Sequence, residues 1–222
     1  MANPLLISPW NLPLYLFSWK IAPALAAGNC VIAKPSEITP YTAYLLGRIA
    51  QEAGMPAGVL NILHGTGPKV GDAIVKHPKI KAISFTGGTE TGKAIASIAA
   101  PMFKKLSLEL GGKNPNIVFA DADLAAAAEG IAIAGFFNAG QDCTAATRVL
   151  VQAGVYEEMV KLLADQATNQ IAMGMPSEDV LVGPVNNKNQ FDRVSGFISR
   201  VPSHARVVAG GAPTNLAGYF IA

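Results

Sequence analysis

Ala82-Ile83-Ser84-Phe85-Thr86-Gly87-Gly88-Thr89-Glu90-Thr91-Gly92-Lys93 is the stretch on which the fold turns. The apolar run predicts a strand over residues 82–85, and the residues from Thr89 predict a helix reaching residue 100. Two glycines between them make a tight turn that opens the helix. Glycines there let backbone N–H groups approach an anion, and a helix N-terminus favours negative charge. Two readings stay open at this point: a loop suited to a dinucleotide pyrophosphate, or a plain glycine-rich turn. A third, the phosphate loop of nucleoside triphosphatases, matches Gly87 to Lys93 in spacing. It fails at Ala94, where that loop needs a magnesium-binding hydroxyl. Glu90 also puts negative charge where a triphosphate would lie.

Working outward, the same alternation recurs. Strands are predicted over residues 4–7, 30–33, 59–63 and 105–109, with helices over 12–27, 40–53 and 68–76 between them. Pro13 sits in the first turn of the first helix and Gly28 just past its end. Thr39 reads as an N-cap ahead of Pro40. The strands are apolar enough to be buried on both faces, which argues for a parallel sheet covered by helices on each side. After Gly111-Gly112 the character shifts. Strands are expected at 116–119, 148–152 and 206–209, and helices at 124–137, 155–170 and 187–199, with a further strand beginning at 218–222. The division expected is residues 1–111 as a dinucleotide-binding domain and 112–222 as a second domain.

Composition sets the class. The chain has 222 residues, half of them hydrophobic and 14% charged, so it can bury a sizeable core. Seventeen Lys and Arg against fifteen Asp and Glu leave a net charge of +2 with no basic cluster, which argues against a nucleic-acid partner. The apolar N-terminal run carries no preceding basic residue and is broken by Pro9, Asn11 and Pro13, so neither a targeting segment nor a membrane span is expected. Two cysteines form no disulfide framework and match no metal-ligand spacing. A cytoplasmic setting is the simplest reading.

Several side chains are candidates for chemistry. Lys34-Pro35-Ser36-Glu37 follows a strand, at the edge where ligands of open α/β sheets gather. A carboxylate and an ammonium there can hold ribose hydroxyls, or form a solvated turn. Cys143 lies in the polar stretch Gly140-Gln141-Asp142-Cys143-Thr144, which favours reactivity, although Asp142 beside it would raise the thiol pKa. Cys30 reads as a core residue in a strand. Glu109 ends a strand before the glycine pair, as a structural cap or as a base facing a cleft. Asn11 could cap the first helix or offer its amide to an oxyanion. His64, His77 and His204 are scattered, and no metal site is expected.

Taken together these segments resemble the aldehyde dehydrogenase superfamily. The resemblance runs in the family's order through Ile7-Ser8-Pro9-Trp10-Asn11, Lys34-Pro35-Ser36-Glu37, Phe85-Thr86-Gly87-Gly88-Thr89-Glu90-Thr91-Gly92, Leu108-Glu109-Leu110-Gly111-Gly112-Lys113 and Gly140-Gln141-Asp142-Cys143. It implies a Rossmann-like doubly wound parallel sheet followed by the first part of an α/β catalytic domain. It also implies NAD as cofactor, with NADP left open, and a small-molecule aldehyde as substrate. Cys143 would be the nucleophile, Glu109 the general base for water, Asn11 an oxyanion donor and Lys20 a proton-relay residue. Trp10, Lys34, Glu37, Gly67, Phe85, Thr86, Gly87, Gly88, Thr89, Gly92 and Leu110 would line the dinucleotide. Glu37 leans toward NAD, because a second carboxylate repels a 2′-phosphate.

The sequence departs from the family's pattern in places. Gly88 stands where many members have serine. The segment carrying the family's later glutamate, the N-terminal helices and the oligomerisation strands of this homo-oligomeric family have no counterpart in these 222 residues, so both domains are expected to be truncated. A catalytically silent nucleotide-binding or interaction fragment is therefore the alternative to an active dehydrogenase. Residues 138–144 resemble aminoaldehyde dehydrogenases, whereas residues 7–37 and 104–121 resemble semialdehyde dehydrogenases equally well.

Overall fold

The computed structural model describes residues 3–222. They divide into two compact units, one up to Gly111 and one from Gly112 to Ala222.

The first unit is built on a five-stranded parallel sheet. Its strands are β1 (Leu5–Ile7), β2 (Val31–Lys34), β3 (Leu60–Ile62), β4 (Ala82–Thr86) and β5 (Lys105–Glu109), in spatial order β3-β2-β1-β4-β5. The helices α1 (Pro13–Ala26), α2 (Tyr41–Glu52), α3 (Asp72–Lys76) and α4 (Thr89–Ala99) connect them, with a wide π turn at Gly67–Gly71 leading into α3. Side chains alternate across a strand, so neighbouring residues serve opposite cores. Leu5, Ile83 and Phe85 join Val75 of α3 and Ile95 and Ala99 of α4 on one face. Leu6, Val31 and Ala33 join Phe17 and Ile21 of α1 and Ala43 of α2 on the other. The sheet is doubly wound, as the alternating pattern predicted. The chain moves outward from β1 through β2 to β3, then returns to lay β4 on the opposite side of β1. That reversal opens a crevice beyond the carboxyl ends of β1 and β4.

The second unit pairs β6 (Pro115–Val118) with β7 (Arg148–Val151) in parallel. Over one face lie α5 (Leu124–Phe136) and α6 (Tyr156–Asp165), packed through Val118, Ala128 and Met159. The Asp123 carboxylate caps α5 by accepting from the Ala126 N–H at 3.1 Å. A last helix, α7 (Lys188–Ile198), begins at Asn187, whose side chain accepts from Gln190 N–H.

Some expectations need correction. Thr39 does not cap α2: the helix starts at Tyr41 behind Pro40, and the Thr39 hydroxyl is buried without a hydrogen-bond partner. Asn11 is not the cap of α1; Leu12 holds that position and no side chain caps it. Residues 206–209 are not a strand, because no neighbouring chain takes up their backbone groups, and Val207 and Val208 are exposed. The terminal residues form only an isolated antiparallel bridge, Pro213 to Ile221. Strand β5 is not buried on both faces: it is the last strand of the sheet, and Lys105, Ser107 and Glu109 are exposed. Cys30 is half-buried and precedes β2 rather than lying in it.

Candidate functional site

The crevice at the chain reversal is a cleft of about 660 Å³. Strand β1 delivers Ser8, Pro9 and Trp10 to it, β2 delivers Lys34, and β4 delivers Thr86 and Gly87. One wall comes from Pro68, Gly71, Asp72 and Val75, the other from Thr91, Ala94, Ile95 and Ile98 of α4. At one end the Lys34 ammonium, itself buried, donates to the Pro35 carbonyl at 3.0 Å and to Glu37 Oε2 at 3.3 Å. The Gly67 N–H donates to Glu37 Oε1 at 3.4 Å, so both carboxylate oxygens are held. Burial pushes the Glu37 pKa up. Its own backbone N–H, the Lys34 ammonium and the Gly67 N–H outweigh this, and the net effect is a lowered pKa.

Gly87 and Gly88 form the turn that enters α4. A side chain at Gly87 would strike the Phe85 ring, its Cβ lying 2.5 Å from Phe85 Cζ. Gly88 is exposed, with nothing within 4 Å of where its Cβ would stand. The N-cap position of α4 thus carries no side chain, while Glu90 of the first turn also borders the cleft. The Ser8 hydroxyl, in a residue only 3% exposed, has no hydrogen-bond partner.

A second polar group lies on the α1 side of the sheet. Lys20 donates to Ser84 Oγ at 2.9 Å and stands 3.5 Å from Glu109 Oε2. Thr86 Oγ1 donates to the same carboxylate oxygen at 2.5 Å. Register explains the grouping, since Ser84 pairs with Ser107 and Thr86 with Glu109, and both pairs face α1. Lys20, Ser84 and Glu109 line a second hollow of about 430 Å³ with Leu16, Trp19 and Pro23. Desolvation lowers the Lys20 pKa, and the Glu109 charge and hydrogen bond oppose that fall.

The second unit carries Cys143 in a constrained loop. Asn138, Ala139 and Gly140 are successively left-handed, with φ of 54°, 56° and 70°. Such a backbone is costly at Ala139, by about 1–2 kcal/mol. Gln141 holds the loop through its amide, donating to the Asn138 carbonyl at 2.9 Å and accepting from the Asn186 N–H at 2.9 Å. Asp142 Oδ1 is occupied by the Thr144 N–H and hydroxyl, each at 2.8 Å. The Cys143 carbonyl accepts from Asn114 Nδ2 at 3.2 Å, and the thiol residue is half-buried.

The structure therefore brings Trp10, Lys34, Glu37, Gly67, Phe85, Thr86, Gly87 and Gly88 to one cleft. Thr89 lies exposed in the first turn of α4 beside it. Gly92 and Leu110 are placed against each other instead: a Cβ on Gly92 would fall 2.6 Å from Leu110 Cδ2. Lys20 and Glu109 form the second group, and Asn11 lies half-buried just ahead of α1. Sequence reading missed the apolar wall of Thr91, Ala94, Ile95 and Ile98, although their i, i+3, i+4, i+7 spacing marks one helix face. It also missed Ser84, whose two-residue offset from Thr86 puts both on one side of β4. Among the described residues no group of three or more His, Cys, Asp or Glu could hold a metal, and no helix is long and apolar enough to cross a membrane.

The family model described as aldehyde dehydrogenase family matches residues 4–222. The 2-aminomuconic semialdehyde dehydrogenase of Bos taurus is 45% identical over 225 residues, covering 97% of this chain and 46% of that protein. Among solved structures, the NAD+ complex of an aldehyde dehydrogenase from Bacillus cereus matches with a TM-score of 0.95 and 41% identity, covering 99% of this chain and 45% of that one. A mutant aldehyde dehydrogenase of Pseudomonas syringae, in complex with NAD+ and octanal, matches with a TM-score of 0.93 and 41% identity, over 98% of this chain and 45% of that one. The chain thus spans a little under half the length of these relatives. A match over nearly every residue, at this identity and on this sheet topology, shows that the chain belongs to the aldehyde dehydrogenase family.

Proposed function

We propose that this chain binds NAD in the cleft at the β1–β4 reversal and carries the thiol of an enzyme that oxidises an aldehyde to a carboxylic acid. The observation that carries this reading is the Glu37 carboxylate, held by Lys34 and Gly67 at one end of a cleft whose other walls are the glycine turn into α4 and an apolar face. The residues fit a dinucleotide part by part. Glu37 and Lys34 suit the adenosine ribose hydroxyls, and Gly87 and Gly88 at α4 suit the pyrophosphate. The faces of α3 and α4 suit a flat base, and the unpartnered Ser8 hydroxyl offers a further polar contact. Residues up to 111 would then be the dinucleotide-binding domain and 112–222 part of the catalytic domain.

The nicotinamide ring, when bound, supplies the hydride acceptor. The chain's own residues supply the rest. The Cys143 thiolate attacks the aldehyde carbon, forming a C–S bond and placing the electron pair on oxygen. Its backbone N–H and the Asn11 amide are assigned to that oxyanion by their match to the family's motifs. One such donor is worth roughly 3–4 kcal/mol. Loss of hydride leaves a thioester on Cys143. Glu109 takes a proton from the water that hydrolyses it, releasing the carboxylic acid and restoring the thiol. Lys20, 3.5 Å from Glu109, is assigned to the relay of that proton by its match to the family's lysine. NAD is favoured over NADP because Glu37 stands where a 2′-phosphate would add negative charge.

The second reading is nucleotide binding without turnover, which the cleft by itself would support. One experiment separates the two. NADH formation is followed with the purified chain, a panel of aminoaldehydes and semialdehydes, and a Cys143→Ala control. Turnover lost in the variant supports the dehydrogenase. NAD binding without turnover selects the second reading, and no binding by the folded chain overturns both.

A further inference from the structure

Lys104 is an ammonium placed where few are found, only 7% exposed, at the turn between α4 and β5. It donates to the Val75 carbonyl and, at 2.8 Å, to the His77 carbonyl. These belong to the last turn of α3 and the residue just beyond it. Carbonyls at a helix C-terminus have no partner within the helix, and a cation there also meets the negative end of the helix dipole. The residue before it, Phe103, is left-handed at φ 53° and almost fully exposed. An aromatic side chain gains nothing from either condition, and the left-handed backbone is strained for a residue with a Cβ. What that backbone achieves is a chain reversal: it ends the helical run after α4 and turns Lys104 back under α3.

The consequence reaches the cleft. Val75 packs in the core beside Ile95 and Ala99 of α4, and Val75 and Ile95 also line the cleft. Helices α3 and α4 are thus the two walls of its apolar part, and α3 has only five residues of its own. Such a short helix is not stable alone and takes its position from what holds its ends. We propose that Lys104, aimed by the left-handed Phe103, is a positioning residue that ties α3 to the end of α4 and fixes the width of the apolar slot for an adenine base.

This inference rests on the nucleotide reading of the cleft, and the test keeps the two apart. AMP affinity and thermal stability are measured together for the wild-type chain, Lys104→Met and Lys104→Gln. The expected result is a folded Lys104→Met with AMP affinity reduced about tenfold, from lost preorganisation, and a partial recovery in Lys104→Gln, whose amide keeps donors for the same carbonyls. A structural role alone would lower stability and leave the affinity of the folded protein unchanged, and that outcome overturns the proposal. Failure of both variants to fold also overturns it, since the ammonium would then serve the fold rather than the slot. Wild-type chain that binds no AMP sinks the nucleotide reading itself and this inference with it.

Discussion

The Lys20 ammonium stands 3.5 Å from the Glu109 carboxylate, with the lysine of α1 buried and the glutamate side chain half-exposed. The asymmetry matters because only one partner bears a large desolvation penalty. Lys20 is held by Ser84 and Glu109, and Glu109 by Thr86. The group is therefore a short polar chain running from the β4–β5 pair into α1.

Desolvation lowers the Lys20 pKa below 10.5, with Glu109 opposing. For a lysine so shifted, the charged form is penalised in the folded state. Stability is therefore lowest below its folded pKa and rises with pH until 10.5. Glu109→Gln removes the opposing charge, so it should destabilise near neutral pH by about 1 kcal/mol or less, the carboxylate being partly solvated. Thermal melts from neutral to alkaline pH should show that deficit shrinking. A pH-independent deficit would mean the pair is not coupled.

Glu37 has a lowered pKa, so its contribution is fully present above 4.5 and lost only as pH falls through the lower folded value. It is anionic throughout the neutral range. Glu37→Gln should improve binding of 2′,5′-ADP relative to AMP by roughly fivefold, about 1 kcal/mol of repulsion at an exposed and salt-screened site. Raising the salt concentration should narrow the difference. An unchanged ratio would show that the carboxylate does not face the 2′ position.

Gly111 and Gly112, adjacent in the chain, make a controlled pair. A Cβ on Gly112 would lie 2.5 Å from the Cys143 carbonyl oxygen, and backbone cannot swing aside as a side chain can. Gly111 has nothing within 4 Å. Gly112→Ala should cost about 1–3 kcal/mol and disturb the thiol loop, seen as a changed rate of Cys143 alkylation. Gly111→Ala should be near neutral in both measurements. Equal behaviour of the two variants would remove the steric argument.

Asp123 caps α5, whose Ala128 is buried against Val118 and Met159. Asp123→Ala should lower stability by about 1 kcal/mol, as a shift in denaturant midpoint at constant slope. No shift would mean that water replaces the carboxylate at no cost.

The strand and helix alternation was legible because short apolar runs, first-turn prolines and glycine stops are local properties of the chain. The glycine turn before α4 was legible for the same reason, since only small residues fit beneath Phe85. The 206–209 stretch misled because a short apolar run has strand character only where a neighbour accepts its backbone bonds. Thr39 misled because hydroxyls before a helix usually cap it, whereas this one is turned into the interior.

By itself the sequence determined the class of fold, the glycine-lined helix entry and the family, each carried by short contiguous segments. Only tertiary structure decided which distant groups meet. Lys20 bonds Ser84 across 64 positions, Gly67 reaches Glu37 across 30, and Lys104 reaches His77 across 27. These contacts depend on strand order and register, which place Thr86 opposite Glu109 and β4 beside β1. Register and strand order are settled by the burial of whole faces at once, so no single segment contains them.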